Sequence, residues 1–180
     1  MLTIIEGARN SGKTFLLDQL EQGYWSKPVF KFPFTSWFER LGLEETCNSG
    51  HCLGLGKEIM IHELNKSGFL KDTWMDRGII TALAWGVFQK RITQEQAMNQ
   101  FNYFIGDGLF KNVRIIYVIG ENPNSRGSKD LWDKVPRKVE LFALEIFLRA
   151  LKDNGISYQK FNNSFNEESI NRFKKLCVEY

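Results

Sequence analysis

The stretch from Leu2 to Thr14, LTIIEGARNSGKT, limits what this chain can fold into more than any other. Leu2, Thr3, Ile4 and Ile5 are apolar or β-branched and predict a buried strand. Gly7-Ala8-Arg9-Asn10-Ser11-Gly12-Lys13-Thr14 follows in the spacing G-x-x-x-x-G-K-[ST], and FLLDQLEQ continues as a helix until Gly23. A strand, a glycine loop and a helix in that order make a phosphate cradle. Gly7 and Gly12 allow a tight turn, so that the N–H groups of Asn10, Ser11, Gly12, Lys13 and Thr14 point inward. With the helix N-terminus they form a nest for an anion. In this pattern the lysine, Lys13, reaches the β- and γ-phosphates, and the Thr14 hydroxyl ligates Mg²⁺. A nucleoside triphosphate with Mg²⁺ is the cofactor implied.

Downstream, strands and helices alternate. Pro28 to Phe32 predicts a second strand, closed by Pro33, and Lys57 to Lys66 a helix that Gly68 ends. Asn48 to Gly56 carries three glycines and reads as a loop or weak helix. A third strand is expected over Lys71 to Arg77, then helices over Gly78 to Lys90 and Thr93 to Ile105. Thr93 and Gln96 hold the capping-box positions of the latter helix. Val113 to Ile119, VRIIYVI, is nearly continuous in apolar residues, as a strand buried on both faces of a parallel sheet must be. A helix over Pro136 to Asn154, a strand over Ile156 to Phe161 and a helix over Glu167 to Val178 complete the pattern. It predicts one α/β domain over residues 1–180, a doubly wound parallel sheet of about five strands flanked by helices. Glu121 to Val135 is the one extended polar stretch, expected to be a mobile lid after the strongest strand.

Composition sets broad limits. A net charge of +3 is too small to argue for nucleic acid, while 15 Phe and 5 Trp supply either core or base-stacking surface. No apolar run reaches membrane-spanning length, and Glu6 and Arg9 interrupt the N-terminal one, so neither a membrane partner nor a secretory signal is expected. Three cysteines suit a reducing cytoplasm. Cys47, His51 and Cys52 raise a zinc question but lack standard spacing and a fourth ligand.

Asp76-Arg77 closes the third strand, where open α/β sheets place their ligands. An Asp there can hold Mg²⁺ through water, and an Arg can clamp the phosphate or hydroxyl region of an acceptor. A guanine-specific GTPase would carry N-K-x-D; Asn65-Lys66-Ser67-Gly68 lacks the Asp. Motor-type and AAA-type ATPases would show an acid pair closing an apolar strand.

On these residues the chain resembles the thymidylate kinases, and more broadly the P-loop nucleoside and nucleotide kinases. The likeness runs through the glycine loop after LTIIEG, Lys31-Phe32-Pro33 where the family has R-F-P, and Asp76-Arg77-Gly78-Ile79-Ile80-Thr81-Ala82-Leu83-Ala84 where it has D-R-Y-x-x-S-x-x-A. It ends in Ser125-Arg126-Gly127 through Trp132-Asp133, at the place of the family's lid. The resemblance implies ATP as donor, Mg²⁺ held by Thr14 and Asp76, and phosphoryl transfer assisted by Lys13, Asp76 and Arg77. It implies an acceptor held by Phe32, Arg77 and Trp132, and it leaves a homodimer open.

The departures lie on the acceptor side. Arg9 stands where the family has an acid facing the acceptor sugar, and Asn10 where some members have a catalytic Arg. Gly54-Leu55-Gly56-Lys57 replaces an Asn-Arg that grips the acceptor. The missing cation is then expected from the lid, from Arg126 with Lys129 and Arg137 behind it. Three readings follow. One is a kinase of free pyrimidine deoxynucleoside monophosphates. A second is a kinase of a hydroxymethylated pyrimidine base in DNA, as in bacteriophage base modification, with Arg9, Lys31, Lys57 and Arg77 facing the backbone. The third is a nucleotide-binding module without catalysis.

Overall fold

The computed structural model describes residues 1–22, 28–31, 48–120 and 137–178. Its strands are β1 (Leu2–Glu6), β2 (Val29–Phe30), β3 (Trp74–Asp76), β4 (Val113–Ile119) and β5 (Gln159–Asn162). Its helices are α1 (Lys13–Glu21), α2 (Asn48–Lys66), α3 (Ile79–Phe88), α4 (Gln94–Gly106), α5 (Arg137–Asp153) and α6 (Glu167–Val178). The five strands form one all-parallel sheet in the order β2-β3-β1-β4-β5.

That order makes the carboxyl ends of β1 and β4 the topological switch point. The chain leaves β1 toward β2 on one side and leaves β4 toward β5 on the other, which opens a crevice between the two loops. The glycine loop follows β1, so the strand order alone delivers it to the crevice.

The alternation along β4 explains the layers. Ile115 and Tyr117 pack with Ile80 and Leu83 of α3, Phe101 and Phe104 of α4, and Leu144, Phe147 and Leu151 of α5. Ile116 and Val118 face the other way, onto Leu16, Leu17 and Leu20 of α1 and Phe173 of α6. With both faces covered, the strand has no polar side to show, which is why it reads as a continuous apolar run. A smaller cluster joins Leu2 and Ile4 of β1, Ile61 of α2 and Met75 of β3.

The element order agrees with the expectation from sequence, and three boundaries differ for physical reasons. Asn48 to Gly56, read as a loop or weak helix, belongs to one continuous helix with Lys57 to Lys66. Gly54 and Gly56 face open space, and their helix cost of about 1 kcal/mol each is offset by docking of the helix through Ile61. β3 begins only at Trp74, because Asp72 turns back with φ +59° before the strand pairs with β1. β5 begins at Gln159, where pairing with Ile116 starts. Thr93 and Gln96 form the expected capping box at the start of α4.

The far end of α4 is tied to α2 by polar contacts. His62 Nε2 lies 2.6 Å from Asp107 Oδ2, and Lys66 Nζ bridges Asp107 and Glu63. Among the described residues, no helix is long and apolar enough to cross a membrane.

Phe101 is fully enclosed and meets Phe147 edge to face at 5.2 Å. Phe101→Ala is expected to lower unfolding free energy by about 3–5 kcal/mol, read as a reduced urea midpoint at unchanged slope.

Candidate active site

Two glycines let the loop close on the sheet. Gly7 has φ +144° and a Cβ there would collide with the Val118 carbonyl oxygen; Gly12 has φ +87° and a Cβ there would meet the Asn163 amide and the Phe165 ring. Lys13, at the first position of α1, is 3% exposed. Its ammonium donates to the carbonyls of Gly7 (2.8 Å) and Ala8 (2.7 Å) and to Ser11 Oγ (3.3 Å). Burial, and next the Arg77 cation, lower its pKa from 10.5 to about 7. A phosphate dianion in the loop would reverse that penalty by supplying an opposite charge in a desolvated place.

Thr14 Oγ1 donates to Asp76 Oδ2 at 2.7 Å, joining the end of the loop to the end of β3. The other carboxylate oxygen, Asp76 Oδ1, is buried and has no hydrogen-bond partner among the described residues. A hydroxyl and a carboxylate with an orphaned oxygen are hard donors of the kind Mg²⁺ takes. The pair therefore fits the metal that the motif implies.

Arg77 follows in the left-handed region with φ +69°, its N–H donating to the Ile5 carbonyl at 2.9 Å. Its guanidinium lies 4.6 Å from the centre of the Trp85 ring, a stacking cation–π contact. The turn beyond it is held by Glu6, whose Oε1 accepts the Gly78 N–H at 3.0 Å and whose Oε2 accepts the Thr81 hydroxyl. Glu6 is 1% exposed, and burial raises its pKa from 4.5 to about 7 against the lowering effect of the Thr81 bond.

Asn10, Gly12, Lys13, Thr14, Phe15, Arg77 and Phe165 line a cleft of about 420 Å³. It thus brings together Asn10, Gly12, Lys13, Thr14 and Arg77, with Asp76 bonded to Thr14 and with Gly7 and Ser11 bonded to Lys13. Arg9 is placed differently from the expectation that it faces an acceptor. Its backbone N–H and its Nε both reach Glu140 of α5, at 2.9 and 3.2 Å, and Arg137 donates to the Arg9 carbonyl at 3.2 Å and to that of Gly120. Lys31 pairs with Asp18 and Glu21, and Lys57 with buried Glu58. Three of the four cations that would have formed a surface for a DNA backbone are thus paired with carboxylates. Phe32, Arg126, Trp132 and the whole segment 121–135 lie outside the described residues, as does Cys47; nothing is described of the side chains of His51 and Cys52.

No family model matches this sequence, and no curated protein matches it significantly. Solved structures do match. A deoxyadenosine kinase from M. mycoides, with the products dCMP and a flexible dCDP bound, superposes with a TM-score of 0.63 at 12% identity over 100% of both chains. The thymidylate kinase of Candida albicans gives 0.61 at 14% identity over 97% of this chain and 89% of its own. NadR in complex with NR gives 0.65 at 14% identity over 99% of this chain, which spans only 50% of NadR. The chain has the fold of the P-loop nucleoside and nucleotide kinases. Within that P-loop kinase fold, Glu6, Phe15, Trp85, Glu140 and Phe165 went unsingled in the sequence. Glu6 alone carried a usable signal there, a charged residue closing an apolar strand directly before the loop.

Burial of Glu6 and Lys13 has opposite consequences for stability. Between pH 4.5 and about 7 the folded chain keeps a proton on Glu6 that the unfolded chain has lost, so stability falls as pH rises. Between about 7 and 10.5 the unfolded chain holds a proton on Lys13 that the folded chain lacks, so stability rises. Gln keeps the Gly78 contact through its Oε1 and, with the Thr81 hydroxyl turned to accept from Nε2, the second contact, without titrating. Glu6→Gln is expected to remove a fall of about 3 kcal/mol, measured by urea unfolding across the lower window.

Proposed function

We propose that this chain is a phosphotransferase that moves the γ-phosphoryl group of ATP to a small acceptor of the nucleoside or nucleotide class, a pyrimidine deoxynucleoside monophosphate first. The observation that carries this is the Thr14–Asp76 contact, with an unpartnered Asp76 oxygen, beside the caged Lys13 ammonium and Arg77. A phosphate-binding loop alone would serve a passive nucleotide module. A metal-donor pair and a cation at the carboxyl end of the neighbouring strand are what transfer requires in addition. The neighbours described above as acting on nucleosides and nucleotides support the acceptor class, and the pairing of Arg9, Lys31 and Lys57 removes the argument for DNA.

The chain's own residues do the following. The loop N–H groups and Lys13 bind the donor phosphates, Lys13 exchanging carbonyl partners for phosphate oxygens whose charge favours its protonated form. Mg²⁺, held by Thr14 and Asp76, would neutralise charge on the phosphates. Arg77, stacked on Trp85, orients the acceptor. An anionic phosphate oxygen of the acceptor forms the new P–O bond as the bond from the γ-phosphorus to the β–γ bridging oxygen breaks, leaving ADP. That nucleophile is already ionised, so no general base is needed. Arg126, in the segment 121–135, is proposed as the cation that meets charge growing in the transition state; Arg126→Ala would then reduce kcat more than it weakens ATP binding.

The test is ADP release in the presence of dTMP, dCMP, deoxynucleosides or hydroxymethylated DNA. Turnover is expected with a free monophosphate, and Lys13→Ala is expected to lower kcat on the order of 10²-fold or more. Wild-type turnover in that variant would sink the kinase reading, and activity confined to DNA would sink the acceptor assignment.

A further inference from the structure

A peptide group of the phosphate loop serves a ligand only when it is turned the right way. The two peptides that flank Arg9 are turned by side chains from outside the loop. On the first, the Arg9 N–H donates to Glu140 Oε1 at 2.9 Å. Among the described residues no peptide bond is cis, and in a trans peptide the N–H and the C=O point opposite ways. The Ala8 carbonyl is therefore turned away from Glu140. On that side it accepts the Lys13 ammonium at 2.7 Å and the Ser11 N–H at 3.3 Å. The second peptide is held from its other end. The Arg9 carbonyl accepts from Arg137 at 3.2 Å, so the Asn10 N–H is directed away from Arg137, and Asn10 lines the cleft.

Both holding residues stand in the first turn of α5. That helix is anchored through Ala143, Leu144 and Phe147 in the same apolar cluster that takes in Ala8. Glu140 is 1% exposed, and its second oxygen accepts from Arg9 Nε at 3.2 Å. The start of a helix favours a carboxylate, yet a buried negative charge beside an anion-binding loop opposes the anion. What Glu140 supplies in return is a hydrogen-bond acceptor fixed on a rigid element.

We infer that Glu140 is a positioning residue of the phosphate loop: by holding the Arg9 N–H it aims the Ala8 carbonyl at Lys13 and, together with Arg137, turns the Asn10 N–H to the cleft. The inference rests on the reading of the loop as the donor-phosphate site. Glu140 acts through the backbone, so its effect is the same whatever base the donor carries. The active part is the acceptor oxygen and not the charge.

Two substitutions separate acceptor from charge. Glu140→Gln keeps Oε1 as an acceptor and removes the charge, whereas Glu140→Met keeps most of the volume and removes both acceptors. Titration calorimetry with Mg·ATP, and with Mg·tripolyphosphate, which has no base, is run on the wild-type chain and on both variants. Glu140→Met is expected to weaken both ligands by the same factor, about tenfold, and Glu140→Gln by no more than about threefold. Wild-type affinity in Glu140→Met would overturn the inference. So would an equal loss in the two variants, which would make the charge the active part. Hydrogen exchange on the unliganded wild-type chain gives a readout that needs no variant. The Arg9 amide is expected to exchange about tenfold or more slowly than the Asn10 amide, and equal rates would overturn the clamp even where Glu140→Met does not fold. A wild-type chain that protects the Arg9 amide but binds neither ligand would overturn the donor-site reading and leave Glu140 a structural contact only.

Discussion

A single buried carboxylate connects the two halves of this site. Glu6 ends the strand that feeds the phosphate loop, and its two oxygens hold the first turn of α3 through Gly78 and Thr81. Arg77 immediately precedes Gly78, in a backbone conformation that a free arginine rarely adopts. Glu6 thus fixes the turn after Arg77, alongside the Arg77 N–H bond to the Ile5 carbonyl and the Thr14–Asp76 contact. The arrangement is expensive in solvation, as the raised pKa of Glu6 records, and buried ionisable groups kept at such a cost concentrate at functional sites.

Charge is distributed on the same logic. A sequence offers formal charges, and a fold decides which of them meet solvent or ligand. Arg9, Lys31 and Lys57 look alike in the sequence as cations near the site, yet each meets a carboxylate: Glu140 on α5, Asp18 and Glu21 on α1, Glu58 beside Lys57 itself. Glu140, Asp18 and Glu21 are distant in the chain, so no local pattern announces those pairings; only Glu58 adjoins its cation. Lys13 is the contrasting case. Its partners are backbone carbonyls and a hydroxyl of its own loop, weak competitors that a phosphate can displace.

What was legible in the residues was whatever depends on short-range pattern. VRIIYVI specified a doubly buried strand with its bounds, Glu167 to Val178 its helix, and the Thr93–Gln96 box its cap. The spacing of Gly7, Gly12, Lys13 and Thr14 specified the loop between β1 and α1, and Asp76, singled out at a strand end, meets Thr14. The sequence predicts a helix over Lys57 to Lys66, but its continuation back to Asn48 stays open between loop and weak helix, because three glycines lower local propensity while the compensating contacts come from β1 and β3. Phe165 was hidden because a lone aromatic in a polar loop carries no period. Its neighbours, Gly12 and Gly120, adjoin it only once β1, β4 and β5 are aligned.

Arg137 gives the architecture a modular property. Its guanidinium gathers the carbonyls of Arg9 and Gly120, so the last described residue before the segment 121–136 and the first after it are fastened together beside the phosphate loop. The residues on either side of that segment therefore meet at one post. The closure entropy of a loop between joined ends grows only slowly with its length, by about 0.6 kcal/mol for each doubling. A change in the length of the chain between Gly120 and Arg137 can therefore be accommodated at little cost while the sheet and its register stay as they are.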